Sequence, residues 1–268
     1  MRTAIAQFGP TIDYPTNIAV MRRLVSEAAE AGAELVIFPE ESMLITDGLD
    51  RPLRDVVADV WPVFTADLAA TAQSHAIALI AGGYEPNGTD RPNNTLVAFD
   101  SAGVKIAEYR KLHLYDAFAY KESAYVTPGT VLPPVFDVNG IRVGLINCYD
   151  IRFPELARHL FQEGAELLTV SAAWVAGPHK EDHWLTLARA RAIENTVWLA
   201  AAGTISDECI GRSIIVDPLG LVVADLGTHP AAIAVIDISR ERTDEVRGAL
   251  PALDNRRIRL TYDILEHA

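Results

Sequence analysis

Cysteine is nearly absent from this chain: Cys148 and Cys209 are the only two among 268 residues. So sparse a set excludes a disulfide framework and leaves a reactive thiol in a reducing compartment as the expected use, which points to the cytoplasm. Basic residues are also outnumbered, with 23 Lys and Arg against 36 Asp and Glu, a formal net charge of −13. An excess of that sign keeps a protein dispersed and opposes contact with a phosphate backbone, so no nucleic-acid partner is expected. The apolar runs fall far short of the ~20 residues that cross a bilayer. The opening MRTAIAQF alternates like a strand, without a charged head and long apolar stretch. Neither membrane insertion nor a signal peptide is expected. Low-complexity tracts and Pro/Gly/Ser linkers are missing as well, so one domain over 1–268 is the expected organisation.

What is present is ample apolar material, half of the residues, arranged as alternating helix and strand signals. A helix from about Pro15 to Ala31 places Ile18, Met21, Val25 and Ala28 on one face, with Gly32 as its stop. The strand ELVIF then runs into Pro39-Glu40. A second copy of the pattern follows: a helix from about Pro154 ends at Gly164, and the strand ELLTV runs into Ser171-Ala172-Ala173-Trp174. HAIALIAGG pairs with NTVWLAAAG, and the hairpin NTLVAFDSAGVKIAEY with RSIIVDPLGLVVADL. The opening strand TAIAQF matches IRVGLIN, which ends at Cys148. Each half predicts a mixed sheet with helices on one face. Burying the two uncovered faces against each other gives a four-layer α-β-β-α sandwich with an internal pseudo-twofold relation and functional groups at strand ends.

Cys148 follows a continuous apolar strand and precedes a proline-started helix in GLINCYDIRFPE. A strand-to-helix turn lifts a side chain out of the sheet and presents backbone N–H groups, the setting of a nucleophile beside an oxyanion site; the Tyr149 N–H is the natural donor. An isolated cysteine at a strand end is more often a packed apolar residue, but here Tyr149-Asp150-Ile151-Arg152 surrounds it with charge and aromatic surface. A thiol with an ordinary pKa of about 8.5 needs a base or cation beside it. None of the seven histidines carries a cysteine-protease signature. Glu40 ends an apolar run and is a candidate base, and Lys111 ends the strand IAEYRK and is a candidate cation. Taken alone, each reads more readily as a surface charge.

The segments FPE, YRKLHLYD and NCYDIRFPE, in that order and at comparable spacing, resemble the nitrilase superfamily of carbon–nitrogen hydrolases. ARAIEN at 190–195 and GRSIIVDPLG at 211–220 fit as well, so the resemblance covers nearly the whole chain. It implies Glu40 as general base, Lys111 as cationic stabiliser and Cys148 as nucleophile. Glu122 in KESAYVTPG matches a second glutamate that orients the lysine. The implied reaction is attack of Cys148 on an amide carbonyl, a thioester intermediate, and its hydrolysis to a carboxylic acid and ammonia or an amine, with no cofactor and no metal. The compact segment from YDAFAY to PGT and the stretch GPHKEDHW look most like an amidase branch acting on an ω-amide of a 2-oxo dicarboxylic acid or on deaminated glutathione. A nitrilase or an N-carbamoyl amino-acid hydrolase would use the same residues. The resemblance also implies a homodimer or larger homo-oligomer.

Around this centre, Trp174 is expected to line the substrate pocket and Phe118 and Tyr120 to form part of its rim. Arg152 could hold a substrate carboxylate through a bidentate contact, or pair with Glu155 or Asp150. His179 and His183, four apart, superficially suggest a helical metal pair, but PHKEDHW reads better as a helix start with Trp184 turned inward. Arg189, Arg191 and Glu194 read as ion pairs, and Cys209 as a packed thiol. Two readings of other classes compete: a metal-dependent phosphoesterase on a similar sandwich, which a chelator would silence, and a noncatalytic scaffold, in which Cys148 would be no more reactive than Cys209.

Overall fold

The apolar runs become central strands that keep no face for solvent, which requires a layer on each side of both large sheets. In the computed structural model, which describes residues 1–265, the first half runs β1 (Arg2–Phe8), α1 (Tyr14–Glu30), β2 (Leu35–Ile37), α2 (Leu53–His75), β3 (Ala78–Glu85), β4 (Asn93–Phe99) and β5 (Lys105–Arg110). A two-stranded hairpin, β6 (Asp116–Ala117) and β7 (Tyr120–Lys121), follows. The second half runs β8 (Val135–Val138), β9 (Ile141–Asn147), α3 (Pro154–Gln162), β10 (Leu167–Ala172), α4 (Lys180–Asn195), β11 (Trp198–Gly203), β12 (Ile214–Val216) and β13 (Val222–Asp225). The strand β14 (Ala231–Asp237) and helix α5 (Arg240–Ala249) come last. The last three residues of the 1–268 span lie outside the described residues.

Local signals set these boundaries. Asp13 caps α1 by accepting from Thr16 N, Pro15 sits in the first turn, and Gly32 reverses the chain at φ +76°. Pro154 starts α3, and Gly164 at φ +93° follows its end.

The sheet orders are β14-β1-β2-β3-β4-β5 and β8-β9-β10-β11-β12-β13. Position by position they match: three central parallel strands, an antiparallel hairpin on one side, and an antiparallel edge strand on the other. The expected pseudo-twofold relation is therefore present. The two edge strands differ in origin, since β8 directly precedes its neighbour β9 whereas β14 returns from the far end of the second half to pair with β1.

Alternation assigns the faces. Ala4, Ala6, Val36, Phe38 and Leu79 pack under α1 and α2 with Met21, Leu24, Phe64 and Leu68. Ile5, Leu35, Ile37 and Ile80 face the other way and join the core of the second sheet and its helices, including Leu145, Leu160 and Trp184. Polar ties cross between the sheets. Ser171 Oγ donates to Phe38 O at 2.7 Å, and Gln7 donates to Gly227 O and His229 O while accepting from Ser213 N. This is the four-layer α-β-β-α sandwich, and it brings the ends of β2, β5, β9 and β10 to one place.

Candidate active site

Glu40 lies just beyond β2, where Phe38 N still donates to Ile80 O and Ser42 Oγ ties back to Pro39 O at 2.7 Å. Gly82 of β3 passes so close that a Cβ there would stand 2.1 Å from the Glu40 carbonyl oxygen, so only glycine fits. Lys111 follows β5, its backbone held by Asn94 O and Gly129 N. Cys148 follows β9 at φ +48°, a left-handed conformation that costs a non-glycine residue about 1–3 kcal/mol and persists only where its surroundings enforce it. Here the enforcing group is Asp150, fully buried, which accepts from Tyr109 Oη at 2.8 Å, from His113 N at 3.0 Å and from Asn147 N at 3.3 Å. It also pairs with His113 Nδ1 at 2.7 Å.

These ends converge on one buried polar cluster. Lys111 Nζ donates to Glu40 Oε1 at 2.7 Å and to Glu122 Oε2 at 2.8 Å. Asn94 bridges the same two carboxylates at 2.7 and 2.9 Å and is itself held by Asn147. Ala173 N donates to Glu40 Oε2 at 2.9 Å and Tyr115 N to Glu122 Oε2 at 2.6 Å. Glu40, Lys111, Glu122 and Cys148 are all buried.

Their electrostatics follow from this geometry. Burial pushes the Glu40 carboxyl upward, but the Lys111 charge, its hydrogen bond and the Ala173 N–H together hold it below its usual range. Burial would depress Lys111, yet Glu122 and Glu40 keep it well above an ordinary lysine. Burial, and then the Glu40 charge, raise the Cys148 thiol well above its usual value. The resting pair is thus a neutral thiol beside an ionised carboxylate.

A cleft of about 690 Å³ opens over this cluster, and Glu40, Lys111, Glu122, Cys148, Tyr149 and Trp174 all line it. Trp174, 3 % exposed, is held by its indole N–H to Lys180 O. Arg152 is different. It does not line the cleft; its guanidinium lies 4.7 Å from the centre of the Trp174 ring and 5.8 Å from that of Tyr149, and it makes no ion pair with Glu155 or Asp150. Asp150 is already saturated by Tyr109, His113 and Asn147, which leaves it no acceptor for Arg152. Phe118, 69 % exposed at φ +54°, is outside the cleft lining, whereas Tyr120 is part of it.

Among the described residues no group of His, Cys, Asp or Glu is arranged to hold a metal ion. His179 is the residue before α4, and Trp184 is fully buried, as its inward turn required. Arg191 pairs with Glu194 at 3.0 Å, while Arg189 donates to Gly220 O. Cys209 lines the same cleft as Cys148, with burial raising its thiol to about 12. Glu41 also lines it, accepting from Tyr84 Oη at 2.7 Å; burial and then the Glu40 charge raise it to about 7. Lys180 lines it too, a residue to which the sequence reading gave no role.

Two mixed sheets packed face to face between helix layers, with a cleft floored by thiol, carboxylates and ammonium, have the build of a hydrolase for carbon–nitrogen bonds. The model of the family described as carbon-nitrogen hydrolase matches residues 2–248. The deaminated glutathione amidase of Escherichia coli O157:H7 is 39% identical over 96% of this chain and 97% of its own length. That of Rattus norvegicus is 33% identical over 95% of this chain and 81% of its own. The NitFhit protein of C. elegans superposes with a TM-score of 0.88 at 31% identity, over 96% of this chain and 65% of that one. The amidase from Nesterenkonia sp. AN1, solved as a double mutant with acrylamide, gives a TM-score of 0.83 at 27% identity, over 96% and 94%. A mutant of the same amidase shows covalent addition of the acetamide moiety of fluoroacetamide at its active site cysteine. The chain belongs to the carbon–nitrogen hydrolase family, within the nitrilase superfamily, and is an amidase that hydrolyses a C–N bond.

Proposed function

We propose that Cys148 is the nucleophile of this amidase, with Glu40 as general base, Lys111 as cationic stabiliser and Glu122 as the group that positions Lys111. The observation that carries this reading is the single buried cluster in which Cys148 shares one cleft with a Glu40 held low by its pairing with Lys111. Because the thiol sits high and Glu40 low, no standing thiolate forms; the proton passes to Glu40 as sulfur attacks the carbonyl carbon. The developing oxyanion is met by Lys111 and the Tyr149 N–H, donors of a kind typically worth about a hundred- to a thousandfold each. Collapse breaks the C–N bond, Glu40 returns the proton to the departing nitrogen, and a thioester remains. Water then attacks the thioester with Glu40 again as base, releasing the acid and the free thiol. Neither step uses a cofactor.

The substrate is a small aliphatic amide with a carboxylate at its far end, either an ω-amide of a 2-oxo dicarboxylic acid or deaminated glutathione. The names of the relatives at 39% and 33% identity support that class. The protein functions in the cytoplasm, where a catalytic thiol stays reduced, and as a homodimer or larger homo-oligomer, supported by Ile258, Leu260 and Leu265 left exposed near the C-terminus. Trp174 forms a wall of the pocket, and Phe118 and Arg152 act behind the lining, Phe118 through Lys180 and Arg152 by backing Trp174 and Tyr149. The test is release of ammonia or amine from a panel of ω-amides, simple amides, nitriles and N-carbamoyl amino acids. Hydrolysis of the ω-amides that disappears in Cys148→Ala is the expected result; turnover surviving that substitution overturns the reading.

A further inference from the structure

Three cations line the cleft, and two of them are neutralised on the spot. Lys111 is matched by Glu40 and Glu122, and Arg51 pairs with Asp59 at 2.9 Å. The third, Lys180, is 5 % exposed, and among the described residues no carboxylate lies within ion-pair distance of its ammonium. Its one hydrogen bond runs from Nζ to Tyr115 Oη at 2.9 Å. Around it stand three aromatic faces, with ring centres at 4.9 Å (Tyr115), 4.6 Å (Phe118) and 5.2 Å (Trp174). Aromatic faces stabilise a cation without cancelling its charge.

The position of this charge is as notable as its isolation. Lys180 is the first residue of α4, whose N-terminus already carries partial positive charge, so a buried ammonium is disfavoured there and an anion is favoured. Glu181 in the same turn is engaged with Arg212 at 2.9 Å, and Asp182 is exposed. The backbone is fixed, since Lys180 O accepts from the Trp174 indole and Lys180 N donates to Gly177 O. A fixed, buried, uncancelled cation in the wall of a substrate cleft is a receptor for an anion.

We propose that Lys180 is the specificity-determining residue that binds the far carboxylate of the substrate, so that the enzyme selects monoamides of dicarboxylic acids over neutral amides. The inference deepens the amidase reading and rests on it for the position of the scissile end. It also relocates the carboxylate-binding role that the sequence suggested for Arg152, whose guanidinium is outside the cleft. Glu40, Glu41 and Glu122 in the same cleft would repel an anionic substrate, and Lys180 is the charge that reverses the sign where the carboxylate lands.

The experiment compares glutaramate with pentanamide, a neutral amide of equal chain length, in the full-length enzyme and in Lys180→Met and Lys180→Arg. A charge-assisted contact of this kind corresponds to roughly tenfold to a hundredfold in preference. The expected result is that the glutaramate-to-pentanamide ratio of kcat/KM collapses by that factor in Lys180→Met, mainly through KM, and is largely restored in Lys180→Arg. A loss shared equally by both amides, or an unchanged ratio, overturns the proposal. A parallel titration of both amides into Cys148→Ala and Cys148→Ala/Lys180→Met, read by calorimetry, judges Lys180 without turnover. Weaker binding of glutaramate alone supports it, whereas equal binding to the two variants, or no binding to Cys148→Ala, refutes it. If the wild type hydrolyses neither amide, the assignment of Cys148 fails separately, and the titration still decides Lys180.

Discussion

A buried lysine held between two carboxylates has its titration set by its neighbours. Burial alone would release the proton of Lys111 below the ordinary lysine value of 10.5, yet Glu122 and Glu40 hold it well above that value. A cation raised in this way adds stability that is complete below its unfolded pKa and is lost as pH rises through the folded one. In Glu122→Gln the ammonium keeps Glu40 alone as counter-ion, so its pKa falls and the alkaline limb of kcat/KM moves to lower pH. The acid limb, set by a Glu40 that stays below its usual range, is not expected to move upward. Lys111 also loses one of its two anchors, and misplacement of a reacting group on that scale costs about a hundredfold in kcat. The pH–rate profile checks this, because a purely structural role for Glu122 would lower kcat without moving the alkaline limb.

Gly82 has a consequence that spreads along two strands. A Cβ at this position meets the Glu40 carbonyl oxygen at 2.1 Å, its carbon at 2.7 Å and its Cα at 2.8 Å, all of them backbone atoms that cannot rotate away. Gly82→Ala therefore pushes β3 from the end of β2, at a cost of about 3 kcal/mol in unfolding free energy. It also moves the carboxylate away from Lys111 and Ala173 N. Denaturant titration together with kcat checks both effects, and an alanine variant of wild-type stability and rate would show that the close approach is dispensable. Glu40, Lys111 and Cys148 each end a strand, but alone the two charges read as surface groups; their joint role was legible through the resemblance of FPE, YRKLHLYD and NCYDIRFPE to a known family. Asn94 and Asp150 could not be read in that way. Their partners are other polar side chains up to 54 residues away, joined by tertiary packing that leaves no periodic trace. Lys180 shares that difficulty, since a lysine at a helix start looks like a surface charge until the aromatic rings around it are in place. The edge strands β8 and β14 also lacked a signal, because neither repeats the motif of the central strands.

At the level of the whole molecule, the internal duplication poses a question of cooperativity. Each half has its own sheet and helices and, by composition, could fold as a separate unit. Several ties oppose this: β14, from the end of the chain, completes the first sheet beside β1, and Gln7 of β1 binds Gly227, His229 and Ser213 of the second half. Ile5, Ile37 and Ile80 are buried only where the second sheet lies against them. The first half on its own would expose that face and lose an edge strand, and the second would expose its matching face, so the expected outcome is one cooperative transition, as for a single domain. The tryptophans allow a direct check. Trp61 lies on α2, in the layer of the first sheet, whereas Trp174, Trp184 and Trp198 belong to the second half. In Trp61→Phe, fluorescence reports the second half alone while far-ultraviolet circular dichroism reports both. Coincident midpoints in denaturant are expected, since the sheets cannot part without exposing the shared core; an earlier loss of one signal would mean that the halves unfold as separate domains.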